Sequence, residues 1–148
     1  MNDTLINAFP VLDDSEIEKL AHFAEKVRWA DGEVLIRPGQ IDYPFFVVLS
    51  GQIEIAEESS GSRQTVTIHQ SGEFTGDVDM LTSRPAFFTA ISKGVSETYK
   101  LEARDLRSIL NRIPSLGERF INAFQVRRRL LQNSEFRGIQ VVGNPSET

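Results

Sequence analysis

The sequence predicts an α+β fold with segregated elements: a short N-terminal helix, a block of short strands, and a C-terminal helix pair. Three observations predict it. Ile17, Leu20, Ala21, Ala24 and Val27 recur at helical spacing near the start. From about residue 26 to 101 short apolar-alternating segments are cut by turn signals, with glycine at 32, 39, 51, 61 and 72. After residue 101 the helical spacing returns.

Taken in order, Asp13-Asp14-Ser15-Glu16 reads as a helix start. Asp13 is the N-cap, Glu16 completes a capping box, and the helix spans about 14–25. Val27/Trp29 and Val34/Ile36 flank the Asp31-Gly32 turn signal. Phe45-Phe46-Val47-Val48-Leu49 is an apolar run bounded by Pro44 and Ser50-Gly51, which suits a strand buried on both faces. Ile53 and Ile55 alternate with polar neighbours, and Glu57 to Ser62 reads as a hairpin loop. Val66/Ile68, Ala90/Ser92 and Tyr99/Leu101 continue the series, which indicates a sandwich, jelly roll or barrel. Leu106, Ile109, Leu110 and Ile113 then form one helical stripe. Pro114, favoured in a first turn, opens a second helix carrying Leu116, Phe120, Ala123, Phe124, Leu130 and Leu131. Gly117 falls early enough in it to cost little.

The expected organisation is an N-terminal segment at 1–12, a domain at 13–131, and a linker with the start of a further module at 132–148. The last part is read from Gly138-Ile139-Gln140-Val141-Val142-Gly143, an apolar strand-like run with nothing after it to bury both faces.

Composition narrows the function. The 148 residues suffice for one cored domain. No run approaches the roughly 20 apolar residues of a membrane helix, so no membrane partner is expected. The start lacks the basic and apolar regions of a signal peptide, and with no cysteines the expected address is cytoplasmic. Residues 1–100 carry 8 Lys/Arg against 16 Asp/Glu, and residues 101–148 carry 8 Arg against 5 acids. An acidic front of this kind suits a phosphate backbone poorly, and no nucleic-acid partner is expected. The run Arg127-Arg128-Arg129 reads as a solvated helix face or an internal ion-pair site. His22 and His69 are isolated, with no nucleophile near either, so no catalytic residue, no metal site and no cofactor are expected in this chain.

The densest cluster of special residues runs from Gly72 to Ala90 and holds Glu73, Gly76, Asp77, Asp79, Arg84, Pro85 and several hydroxyls. A glycine followed by a short helical turn presents free backbone N–H groups to an anion. An acid beside it can accept from a sugar hydroxyl, and an arginine can clamp a phosphate. The candidate ligand-binding residues are Gly76, Asp77, Val78, Arg84 and Thr89.

Over about residues 9–131 the chain resembles the cyclic-nucleotide-binding domain, the antiparallel β jelly roll of bacterial catabolite-activator-type regulators and kinase regulatory subunits. The resemblance rests on Asp31 to Gly39, on Phe46 to Ile55, and on the cassette from Gly72 to Thr89. Aligned without gaps, it implies that Asp77 takes the place of the acid that holds the ribose 2′-hydroxyl, and Gly76 that of the glycine facing the phosphate. Pro85 and Thr89 match. The phosphate-binding arginine falls on Ala86, and the two small residues after it become Phe87 and Phe88. Such a loss would weaken an ordinary cyclic nucleotide by about 2–5 kcal/mol. Arg84, two positions earlier, reads either as its replacement or as a surface arginine beside a turn.

Thr75 to Pro85, Asn122 to Arg128 and Ile139 to Gly143 further resemble bacterial thioredoxin-reductase-like flavoproteins with an N-terminal domain of this kind. That resemblance implies adjoining oxidoreductase domains, with FAD and NAD(P) held beyond residue 148. Two functions follow. In one, the domain senses a small anionic, nucleotide-like ligand and the helix pair answers as a lid. In the other, the pocket is vestigial and the chain is an interaction module, homodimerising through the Phe120/Phe124/Leu131 face of its last helix.

Overall fold

The computed structural model describes residues 8–59 and 61–132. The expected start of a further module, beyond Gln132, lies outside the described residues. Helix α1 (Asp14–Ala21) opens on the capping box foreseen: Asp13 accepts from the Glu16 N–H at 2.8 Å, and Glu16 accepts from the Asp13 N–H at 3.0 Å. The helix is shorter than its apolar periodicity suggested, because Glu25–Trp29 leaves it as strand β1.

Strands β2 (Val34–Ile36), β3 (Phe45–Ser59), β4 (Ser62–His69) and β5 (Thr89–Leu101) complete an antiparallel sheet in the order β1-β5-β3-β4, with β2 also on β5. Two pairs of sequence segments thus fuse into single long strands. In β3 the expected break at Ser50-Gly51 is a bulge, with the pairing to β5 shifting on both sides of Ser50. Gly51 is needed there. Its φ is +81°, and a Cβ would lie 2.6 Å from the Val95 carbonyl oxygen. The hairpin loop is also tighter than expected, since Glu57, Glu58 and Ser59 pair with Gln64, Arg63 and Ser62.

Phe45, Phe46, Val47 and Val48 are all buried, as the apolar run required. Their second edge is covered by the start of the cassette: the Thr75 N–H donates to Phe46 O at 2.9 Å, and the Val48 N–H to Glu73 O at 2.9 Å. The cassette's far end is tied down by Ala86, whose N–H donates to Gln40 O at 2.9 Å while its carbonyl accepts from the Gly39 N–H at 2.7 Å.

Helices α3 (Ala103–Arg112) and α4 (Pro114–Gln132) close the core. Gly117 does more than cost little: a Cβ on it would lie 2.9 Å from Leu110 Cα, so its absence sets how closely α4 approaches α3. Phe120 and Phe124 are fully buried and pack with Phe45 and Phe74, the Phe74–Phe120 centroids lying 4.8 Å apart. This corrects the expectation of a dimer through Phe120 and Phe124, because that face forms the chain's own core. The side chain of Leu131 lies outside the described residues. Ala8 and Phe9, expected to precede the domain, pack on Val126 and Leu130 of α4.

Candidate functional site

The cassette between β4 and β5 contains one helical turn, α2 (Val78–Leu81). Asp77 caps it, with its Oδ1 accepting from the Asp79 N–H at 2.8 Å. Gly76, just before, has φ +112° and packs beneath Phe124 of α4. Val78 is half-buried and Thr89 is buried at the start of β5, opposite Ala56. Gly76, Asp77 and Val78 are therefore together at the turn. Arg84 is exposed, and its backbone N–H donates to Asp79 O at 3.0 Å. Ala86 is buried in the core, as is Phe88, which meets Tyr43 edge-on at 5.7 Å.

The residues not placed in the site from sequence are the two adjacent arginines of α4. Arg127 is buried, and its guanidinium donates to three backbone carbonyls: Ala8 O at 2.7 Å, Gly76 O at 3.0 Å and Phe74 O at 2.8 Å. It also lies 4.8 Å from the Phe74 ring centroid and 5.3 Å from that of Phe9. Burial pulls its pKa down to about 10, against the opposing charges of Glu73 and Asp77. Glu73 itself is buried beside His69, with Oε1 3.2 Å from Nδ1. Burial holds His69 below its ordinary pKa, although Glu73 draws it upward. The cluster is thus a buried arginine and a carboxylate bonded to a histidine that favours its neutral form.

Arg128 reaches the other side of the cassette. One terminal nitrogen, Nη2, lies 2.8 Å from Asp77 Oδ2 and 2.6 Å from Asp79 Oδ2. The guanidinium sits 5.9 Å from the Phe87 ring centroid. Burial pushes the Asp77 carboxyl above its usual range, outweighing the hydrogen bonds from Arg128 and the Asp79 N–H. For Arg128, burial works against the charge, but the bonds to Asp77 and Asp79 prevail and raise its pKa. The desolvation cost of this pair therefore falls on the deeper partner, Asp77. Tyr43 is fully buried nearby, and its hydroxyl has no hydrogen-bond partner among the described residues. Burial, then Asp77 and Asp79, push its phenol upward.

Of the two readings of the arginine run, the ion-pair one holds for Arg128; Arg127 is internal but bonded to carbonyls, and Arg129 is exposed. A signal was present. Arg127 follows Phe120 by seven residues and Phe124 by three, so it lies on the helix's apolar stripe. Chemically, the arrangement ties α4 to the cassette through two cations with different partners: backbone carbonyls for one, carboxylates for the other.

Among the described residues no helix is long and apolar enough to cross a membrane. No group of three or more His, Asp and Glu among them is arranged to hold a metal ion.

The family model described as the cyclic nucleotide-binding domain matches residues 26–113. A curated relative, the cAMP-dependent protein kinase regulatory subunit of Blastocladiella emersonii, is 26% identical over 109 residues. The match covers 73% of this chain and 27% of that protein, so the chain spans about a quarter of the relative's length. The fold is shared with the Thermus thermophilus catabolite activator protein: TM-score 0.68, 18% identity, 87% of this chain and 59% of that one. It is shared also with a cyclic nucleotide-binding domain from Methylobacillus flagellatus: TM-score 0.65, 17% identity, 90% and 78% covered. With its jelly-roll sheet, cassette and closing helix pair, and a family match over more than half its length, the chain belongs to the cyclic nucleotide-binding domain family.

Proposed function

We propose that this chain is a ligand-sensing regulatory domain in which a small anionic, nucleotide-like molecule seats on the cassette at Gly76, Asp77, Val78, Arg84 and Thr89. The helix pair α3–α4 answers as its lid. The observation that carries the reading is that α4 grips the cassette through Arg127 on Gly76 O and Arg128 on Asp77. A ligand shifts only an element whose contacts it changes, and a ligand touching Gly76 or Asp77 changes both. The printed name of the Blastocladiella relative, a cAMP-dependent regulatory subunit, supports the nucleotide class.

The cassette is degenerate in this reading, with Ala86 where the resemblance implies the phosphate arginine. Binding then differs from that of a cyclic nucleotide held by a loop guanidinium. The sensor would serve adjoining oxidoreductase domains in the cytoplasm, with FAD and NAD(P) held by those domains. Flavin absorbance in the protein expressed from the full reading frame tests that partnership.

Thermal unfolding against cyclic AMP, cyclic GMP and a panel of linear and cyclic dinucleotides tests the sensing itself. A ligand at 100 times its Kd adds about 2.7 kcal/mol, or about 5–10 °C for a domain of this size. No shift at millimolar ligand favours the second reading, an interaction module with a vestigial pocket. That reading draws on Asp77, both of whose carboxylate oxygens already hold partners from the chain itself.

A further inference from the structure

We propose that Arg128, projecting from α4, is the anion receptor of this cassette, taking a phosphate or carboxylate oxygen of the ligand on its unbonded Nε edge. The inference rests on the sensing function proposed above and adds to its site a cation from α4.

Two cations of α4 reach the cassette. Position 86 supplies none, because Ala86 is packed into the core. Arg127 has its three nitrogens on the carbonyls of Ala8, Gly76 and Phe74 and is fully engaged. Arg128 is held differently. A single nitrogen, Nη2, meets both carboxylates of Asp77 and Asp79, while its Nε is buried with no hydrogen-bond partner among the described residues. A buried guanidinium N–H left unbonded is costly. The Tyr43 hydroxyl is a second buried polar atom with no partner among the described residues, fully enclosed and within the field of the same Asp77, Asp79 and Arg128.

The orphaned Nε–H beside the acidic pair calls for an acceptor oxygen. Nε and Nη2 form one edge of the guanidinium, the edge that grips phosphate and carboxylate in bidentate fashion. Asp77 and Asp79 then fix the arginine's position, and the Phe87 face, 5.9 Å from its centre, backs it. Arg128 keeps 26% of its side chain exposed while its Nε is enclosed, so a ligand reaches this edge when α4 moves off the cassette. Because the receptor rides on the lid, capture of the anion and closure of α4 are one event.

The test is the thermal-unfolding titration with inorganic phosphate, 5′-AMP and cyclic AMP. It is applied to the wild type, Arg128→Gln, Arg128→Lys and Arg129→Gln, the last altering the exposed neighbour. Unliganded unfolding of each variant is measured first. Arg128→Lys retains the cation that Asp77 and Asp79 require and so keeps the fold if the glutamine variant does not. The expected result is a wild-type shift with at least one probe, unchanged in Arg129→Gln. For that probe, affinity falls about 10-fold or more in Arg128→Lys and about 30-fold or more in Arg128→Gln. A response to phosphate as strong as to the nucleotides supports the same receptor with free phosphate as its ligand. Wild-type binding retained within about threefold in Arg128→Lys overturns the assignment and leaves the sensing function standing. A wild type that responds to none of these three probes overturns the assignment, and one silent also to cyclic GMP and the dinucleotide panel overturns both.

Discussion

Gly76 and Phe124 meet so closely that a methyl group on the glycine would lie 2.9 Å from Cε1 of the ring. The contact joins the cassette to α4 at the point where the backbone turns through φ +112°. Both the left-handed backbone and the absence of a side chain are therefore required at one residue.

Gly76→Ala is expected to destabilise the domain by about 2–3 kcal/mol, combining backbone strain with displacement of Phe124. Urea denaturation monitored by circular dichroism checks this. A change below about 0.5 kcal/mol would show that α4 shifts freely at this contact.

Arg127→Met removes the donor from three carbonyls and leaves buried Glu73 without its nearby cation. The expected loss is on the order of 3–5 kcal/mol, the range seen when one member of a buried charged group is removed. The same denaturation experiment reads it, with Arg127→Lys recovering only part of the loss. Cleavage near residue 8 by a protease should also quicken, because Ala8 O is one of the three anchors.

His69 makes stability depend on pH in a definite direction. Its folded pKa is lowered from the ordinary 6.5 by burial, so the unfolded chain binds the proton more readily. Its contribution is complete above about pH 6.5 and is lost as pH falls from there toward the folded pKa. Asp77, whose folded pKa is raised from 3.8, has the opposite sign: its contribution is complete below 3.8 and is lost as pH rises through its folded pKa. Unfolding midpoints of the wild type and His69→Gln between about pH 8 and pH 5 separate them. The histidine part of the acid loss should vanish in the variant, and identical slopes would contradict it.

Gly117→Ala sets two effects against each other. Alanine favours a helix interior by about 1 kcal/mol over glycine. The added Cβ, however, lies 2.9 Å from Leu110 Cα, a backbone atom that moves only if α3 moves. The clash should win, with a net loss of about 1–2 kcal/mol in thermal or chemical unfolding. A gain in stability would mean that the two helices separate at no cost.

The fold was largely legible because its signals are local. The Asp13–Glu16 capping box, the buried run at Phe45–Val48 and Pro114 at the head of α4 each follow from a few adjacent residues. What the sequence obscured came from distant contacts. The break at Ser50-Gly51 looks like a strand end until β5 pairs across it as a bulge. Phe120 and Phe124 read equally as core or interface until Phe74 of the cassette packs against them. At the candidate site, the clustering of Gly76, Asp77 and Val78 follows from adjacency, and the family resemblance supplied their suggested roles. The partners of Asp77 depend on Arg128, 51 residues away, and only α4's docking brings them together. Periodicity could have shown Arg127 to be buried, but no local pattern shows which carbonyls it holds.

The most direct test of the account is hydrogen exchange across α4, residues 114–132, with and without saturating nucleotide from the panel. The lid reading predicts that binding alters exchange in this helix as well as in the cassette, since Arg127 and Arg128 join the two. A ligand that protects the cassette while exchange in α4 stays unchanged would contradict it.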